Sequence, residues 1–244
     1  NLFKKTIKKS TYRFFYFLFK KKISNIICYT NQIKDNLDYC GYINLTTKIP
    51  LGFDKNIFYN EKKQNSSSKF IISYFGTISE KKGVLTLLKA LDLIKIENWL
   101  FQIDIHHIER IDYFKKIKKY LKKFNKNNKL KLIKPTHNNI AKSMQITHLS
   151  IVPSEWNEQY GRVIQEAAAC GSIVIGSEIG AIPEILPNKK FLFKPGDVNG
   201  LKNKIEEIYN DYKNIKIEFE NIERKINEER TLDFQAKLIN DLLT

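Results

Sequence analysis

The chain predicts an α/β protein: a Rossmann-like parallel sheet with helices on both faces. Short apolar runs alternate with amphipathic stretches from residue 70 to residue 209, the rhythm of repeated β-α-β units. The runs are mostly apolar rather than alternating, as strands covered on both faces are. A hydrophobic content of 42% over 244 residues is enough for a packed core and argues against wholesale disorder.

Taken in order, residues 26–29 (Ile-Ile-Cys-Tyr) read as a short buried strand, with a polar helix start at Thr30-Asn31. Residues 49–54 form a Pro/Gly turn and residues 64–69 a Ser-rich loop. Residues 70–75 are a strand ending at Gly76, and Val84, Leu87, Leu88, Leu91 and Ile94 mark one face of a helix opening at Gly83. Strand 100–105, helix 111–125, strand 130–133, short helix 140–144 and strand 149–152 follow. Helix 161–170, strand 173–176, a short helix after Pro183 and strand 191–193 come next. Helix 198–209 has Asp197 as its N-cap, and a terminal helix covers 232–243. Ligands on such sheets sit at the carboxyl ends of the strands, so the loops after residues 75 and 152 are the ones to weigh.

The net charge of +16 is local. Residues 1–22 carry eight Lys/Arg and residues 113–134 ten Lys, both without an acid; the other 24 basic residues face 26 acids. Such patches suit nucleic acid, an anionic membrane surface or plain solubility. In 111–125 the aromatics share the apolar face with Ile117 and Leu121, which disfavours nucleic acid as a partner. The apolar run 14–19 is too short to span a bilayer and lacks the small-residue cleavage site of a signal peptide. Cys28, Cys40 and Cys170 make no C-x-x-C and leave an odd thiol, which suits a reducing, cytoplasmic setting. The four histidines show no metal-ligand spacing.

Glu158 and Glu166 flank an aromatic-glycine turn that opens a helix. A helix start offers free N–H groups to an anion, and glutamates on either side accept from hydroxyls. An anion between hydroxyls describes a nucleotide sugar. In the loop from Gly76 to Gly83, Lys82 is a mobile point charge for a diphosphate and Gly76 permits close approach, although alone the loop reads better as a solvent-exposed turn. Gly180 and Ala181 form a third turn whose N–H groups are expected to line the same cleft, although alone it reads at least as well as a simple strand-to-helix connection.

These loops, in this order, resemble the donor-binding half of the retaining glycosyltransferase family 4, of GT-B fold, over roughly residues 24–244. Glu158 to Glu166 looks like the family's E-x7-E motif. Residues 179–184 look like its Gly-Gly-x-Pro-Glu motif, with Ala181 for the second glycine. Residues 49–54 look like its interdomain I-P-N-G-V-D segment, with Leu51 for Asn. The resemblance implies that Glu158 binds the donor sugar, that Tyr160, Gly161, Arg162 and Val163 offer backbone contacts, and that Glu166 holds the ribose. It further places Gly76, Thr77 and Lys82 at the diphosphate and Lys134 and Pro135 at the base, with Glu158 and Lys82 as the catalytic pair. Thr77 stands where the family usually has an arginine, and His106 and His107 where a glycine-rich turn is usual.

By the same resemblance the chain transfers sugar from a UDP- or GDP-linked donor to a glycan or lipid-linked acceptor, with retention and without metal or other cofactor. Residues 1–48 are then the end of an acceptor domain, 49–231 the donor domain, and 232–244 a helix returning to the first, in a fragment of a longer enzyme. The basic segment 1–22 implies peripheral contact at the inner face of the membrane. The rival readings are an epimerase or hydrolase on the same fold, or a binding fragment inactive by itself.

Overall fold

The computed structural model describes Leu18 and residues 22–61, 68–105, 107–134 and 136–244. Most of the basic segment 1–22, residues 62–67 of the Ser-rich loop, His106 and Pro135 lie outside the described residues.

A small parallel pair, β1 (Ile26–Cys28) and β2 (Thr46–Lys48), is joined by helix α1 (Asn31–Tyr39). The main body is a six-stranded sheet with order β5-β4-β3-β6-β7-β8, every pairing parallel. Its strands are β3 (Phe70–Tyr74), β4 (Trp99–Ile103), β5 (Leu130–Leu132), β6 (Leu149–Val152), β7 (Ile173–Ser177) and β8 (Leu192–Phe193). Helices α2 (Val84–Leu93), α3 (Ile111–Lys126) and α4 (His137–Gln145) connect the first four, and α5 (Arg162–Ala169) and α6 (Ile182–Ile185) the rest. Helices α7 (Val198–Asn210), α8 (Tyr212–Glu229) and α9 (Leu232–Leu243) close the chain.

Every residue of β3, β6 and β7 is buried, which is why these strands read as mostly apolar runs. Ser73 of β3 and Gln102 of β4, adjacent in register, are buried polar exceptions. They share hydrogen bonds with one another and with Thr147 instead of water.

The chain runs outward from β3 to β5, then returns to lay β6 on the other side of β3. That reversal opens a crevice at the carboxyl ends of β3 and β6, where a doubly wound sheet takes its ligand. The loops 75–83 and 153–161 both emerge there.

Asp197 caps α7 as expected, its carboxylate accepting from Gly200 N at 2.8 Å. Two expectations are corrected. Strand β4 stops at Ile103, two residues short of the expected end at residue 105, and His107 sits in a loop. Helix α8 was not expected, yet it buries Ile215, Phe219, Ile222 and Ile226. The start of the C-terminal helix is anchored at Phe53: Phe53 N donates to Arg230 O (3.0 Å) and Leu232 N to Phe53 O (3.0 Å). A Cβ on Gly52 would lie 2.5 Å from the backbone of Thr231 and Leu232, so only glycine fits this crossing.

Candidate active site

The loop after β3 is held from both sides. Tyr74, whose hydroxyl burial pushes well above the ordinary phenol range, donates to Thr77 O at 2.7 Å. Ile78 N donates to His107 O (2.8 Å) and Glu109 N to Ile78 O (3.1 Å), which ties this loop to the one after β4. A 3-10 turn, Glu80–Lys82, then leads to Gly83, in the left-handed region at φ +62°. A Cβ there would lie 1.8 Å from Pro153 O, so the first loop touches the backbone of the second.

That contact sets Lys82 beside Glu158. Glu155 N donates to Lys81 O (2.8 Å), and the Glu155 carboxylate accepts from Thr86 on α2. Lys82 Nζ then donates to Glu158 Oε2 at 2.5 Å, and Ser154 Oγ to the same oxygen at 3.1 Å. The Glu158 side chain is 16% exposed and that of Lys82 37%, so the pair sits at a mouth rather than in the core.

The third loop buttresses Glu158 from behind. Gly180, at φ +60°, packs so closely that a Cβ would stand 2.3 Å from Glu158 O and 2.5 Å from its N. Ala181 N donates to Glu158 O at 2.8 Å. The expectation that the Ala181 N–H faces a ligand is therefore corrected: it is spent on holding the Glu158 backbone.

Gly161 (φ +82°) precedes α5 without a side-chain cap. The first hydrogen bond of that helix runs from Ile164 N to Gly161 O (3.0 Å), and the Arg162 and Val163 amides precede it. Arg162 is exposed. Tyr160 turns its ring away from the loop: its hydroxyl donates to Leu51 O (2.7 Å) and accepts from Arg230 (3.2 Å). Only its backbone is left for the role expected of it. Glu166 lies in the second turn of α5, half-buried.

A cleft of roughly 390 Å³ opens at the Lys82–Glu158 pair. Of the expected residues it is lined by Thr77, Lys82 and Glu158, joined by Ser79, Lys81, Glu109, Trp156, Asn157 and Gln159. Gly76, Tyr160, Gly161, Arg162, Val163 and Glu166 are not among its lining residues. Among the described residues no group of three or more His, Cys, Asp or Glu is placed to hold a metal ion. His148 Nδ1 accepts from Ile71 N at 3.1 Å, and burial lowers its pKa, so it is a neutral structural group.

Sequence reasoning missed Glu184 as a structural partner. Its carboxylate accepts from Asn31 N (2.9 Å) and Gln32 N (3.3 Å) at the start of α1, with Lys48 Nζ at 3.6 Å. Gln32 Nε2 also donates to Asn157 Oδ1 at 3.1 Å, so α1 reaches the rim of the cleft. Partners more than 120 residues apart leave no local signal; only Glu184 as part of a motif marked the place.

A parallel sheet flanked by helices on both faces is the Rossmann-like architecture of the GT-B fold. Residues 56–226 match the family described as Glycosyl transferases group 1, and the chain belongs to it. It is 29% identical over 201 residues to an uncharacterized glycosyltransferase of Methanocaldococcus jannaschii, covering 82% of this chain and 53% of that protein. The chain thus spans about half the length of that relative. Among solved structures, a glycosyltransferase from Rickettsia africae superposes with a TM-score of 0.84 at 18% identity, over 95% of this chain and 66% of its own. Anabaena HepE, solved in complex with UDP and glucose, gives 0.82 at 21% identity, over 96% and 67%. At such identities these likenesses concern the fold. No helix among the described residues is long and apolar enough to cross a membrane.

Proposed function

We propose that this chain is the donor-binding half of a retaining, metal-independent glycosyltransferase acting on a glycan or lipid-linked acceptor. Residues 49–231 form the donor domain, residues 1–48 belong to the acceptor domain, and residues 232–244 return to it. The chain works in the cytoplasm. The observation that carries the reading is the Lys82–Glu158 pair, at 2.5 Å, in the crevice between β3 and β6. The family and the UDP-glucose complex of HepE support a nucleotide sugar as ligand.

In this reading Lys82 moves from Glu158 onto the diphosphate, and the first amides of α5 face the same charge. Charge grows on the leaving oxygen as the glycosyl–phosphate bond breaks, and these preset donors oppose it. Glu158, released from Lys82 yet still held by Ser154, accepts from sugar hydroxyls. Glu166 takes the ribose. Gly76 allows close approach at the phosphate side, and Thr77 offers a hydroxyl in place of a second cation there. The acceptor hydroxyl is positioned on the face the donor bond leaves, a matter of orientation rather than of further groups in this domain.

Titration of the chain with UDP, GDP and ADP by calorimetry tests the site. One of them binds, Lys82→Ala weakens it about 10- to 100-fold through the lost charge-assisted contact, and Glu166→Ala weakens it as well. Absence of binding by all three, or binding indifferent to both substitutions, refutes the proposal.

A further inference from the structure

Seven of the ten lysines of residues 113–134 lie on α3, none of them lining the cleft, and the structure divides those seven into two sets. On α3 the apolar side is Tyr113, Ile117, Leu121 and Phe124, all buried. On one flank, Lys116 meets Glu80 (4.0 Å) and Lys123 meets Asp92 (2.5 Å). At 100° per residue, Lys115, Lys118, Lys119, Lys122 and Lys126 fall together on the side opposite the buried stripe. All five are exposed, and among the described residues none of them makes an ion pair. Ile111, 75% exposed, extends that outward lysine face at its amino end.

The nearby acids thus neutralise the flank and leave the outward face uncompensated. That face is about 16 Å long from Lys115 to Lys126 at 1.5 Å per residue. It holds lysine but no arginine, so it offers diffuse positive charge rather than forked recognition of a single phosphate. It carries no exposed aromatic for base stacking: Tyr120 is half-buried and lies under Lys119, 4.9 Å away. An isoleucine at the end of a lysine stripe fits a surface with negative headgroups above an apolar layer.

We infer that the outward face of α3, separate from the basic segment 1–22, docks on an anionic phospholipid surface. The inference stands independently of the donor-site reading, since no residue of the cleft takes part. Docking would hold the sheet beside the membrane by a helix of the donor domain itself.

The full chain is sedimented with vesicles of phosphatidylcholine alone or with 30% phosphatidylglycerol, at low and high salt. Binding is expected only to the anionic vesicles and is lost at high salt. Each lysine contributes about fivefold in partition. Lys115→Gln/Lys118→Gln/Lys122→Gln then lowers it about a hundredfold, whereas Lys116→Gln/Lys123→Gln on the flank changes it little. Undiminished binding of the triple variant overturns the inference, since another surface must then be responsible. Equal losses in both variants show that general charge rather than this face is at work, and overturn it too. Failure to bind anionic vesicles at low salt, or duplex DNA displacing the chain from them at matched phosphate, also overturns it.

Discussion

Replacing Gly180 with alanine tests whether the third loop fixes Glu158. A Cβ at position 180 would stand 2.3 Å and 2.5 Å from two backbone atoms of Glu158. Ordinary contact is about 3.4 Å or more, so one backbone must give by about 1 Å. The φ of +60° adds a cost of about 1–2 kcal/mol for an L-residue in the left-handed region. Overpacking against backbone adds about 1–3 kcal/mol, for a total of about 2–5 kcal/mol. Gly196→Ala is the control: its φ is +74°, but the nearest atom to a new Cβ is a side-chain carbon 4.0 Å away. It should lose only the conformational part. Urea unfolding followed by circular dichroism separates them: with m of about 2–3 kcal/mol per M, Gly180→Ala falls by about 1–2 M in midpoint. Gly196→Ala falls by about 0.5 M on the same scale. Nucleoside diphosphate binding should weaken in the first variant and persist in the second. Equal losses of stability would refute the crowding argument.

Glu184→Ala removes two amide acceptors and an ion pair from the start of α1. Losing about 1–2 kcal/mol of capping should speed amide exchange across residues 31–39 about 5- to 30-fold, with the β3–β6 core unchanged. Unchanged exchange there would contradict the capping role. His148 has its pKa lowered by burial, so the unfolded chain takes up the proton first as pH falls. Its contribution is complete above about pH 6.5, the unfolded value, and is lost on acidification through the folded value. The urea midpoint of His148→Asn should therefore decline less between pH 7.5 and 5.5 than that of the parent chain. Burial pushes Cys170 up to about 12 and also raises Cys28, while Cys40 is partly exposed. Iodoacetamide at pH 8 should label Cys40 first, and mass spectrometry showing Cys170 labelled equally fast would contradict the burial argument.

The central strands were legible because burial on both faces favours Ile, Val and Leu with small Ser or Gly between them, as in residues 149–152 and 173–177. Edges were harder: β4 ends two residues before the apolar run does, since hydropathy does not mark where pairing stops. Helix α8 escaped because only Asp211 separates it from α7, with no glycine or proline to punctuate the join, although Ile215, Phe219, Ile222 and Ile226 repeat at helical spacing. At the candidate site, residue types and order singled out Lys82 and Glu158, and the fold places them in contact. The uses of Tyr160, Ala181 and Glu184 were not legible, because their partners at Leu51, Glu158 and Asn31 are set by tertiary packing rather than by spacing.

The contact between Lys82 and Glu158 means that the site carries its own counterion. Any newcomer must compete with an internal partner already in place. An anion without hydroxyls, such as chloride, can draw Lys82 away, but it leaves a mostly buried carboxylate with no donor in place of the lysine. A molecule that brings both an anion and a set of hydroxyls compensates each half of the broken pair. On the proposed function, the arrangement is a two-part lock that discounts simple anions and favours ligands in which charge and sugar are covalently joined.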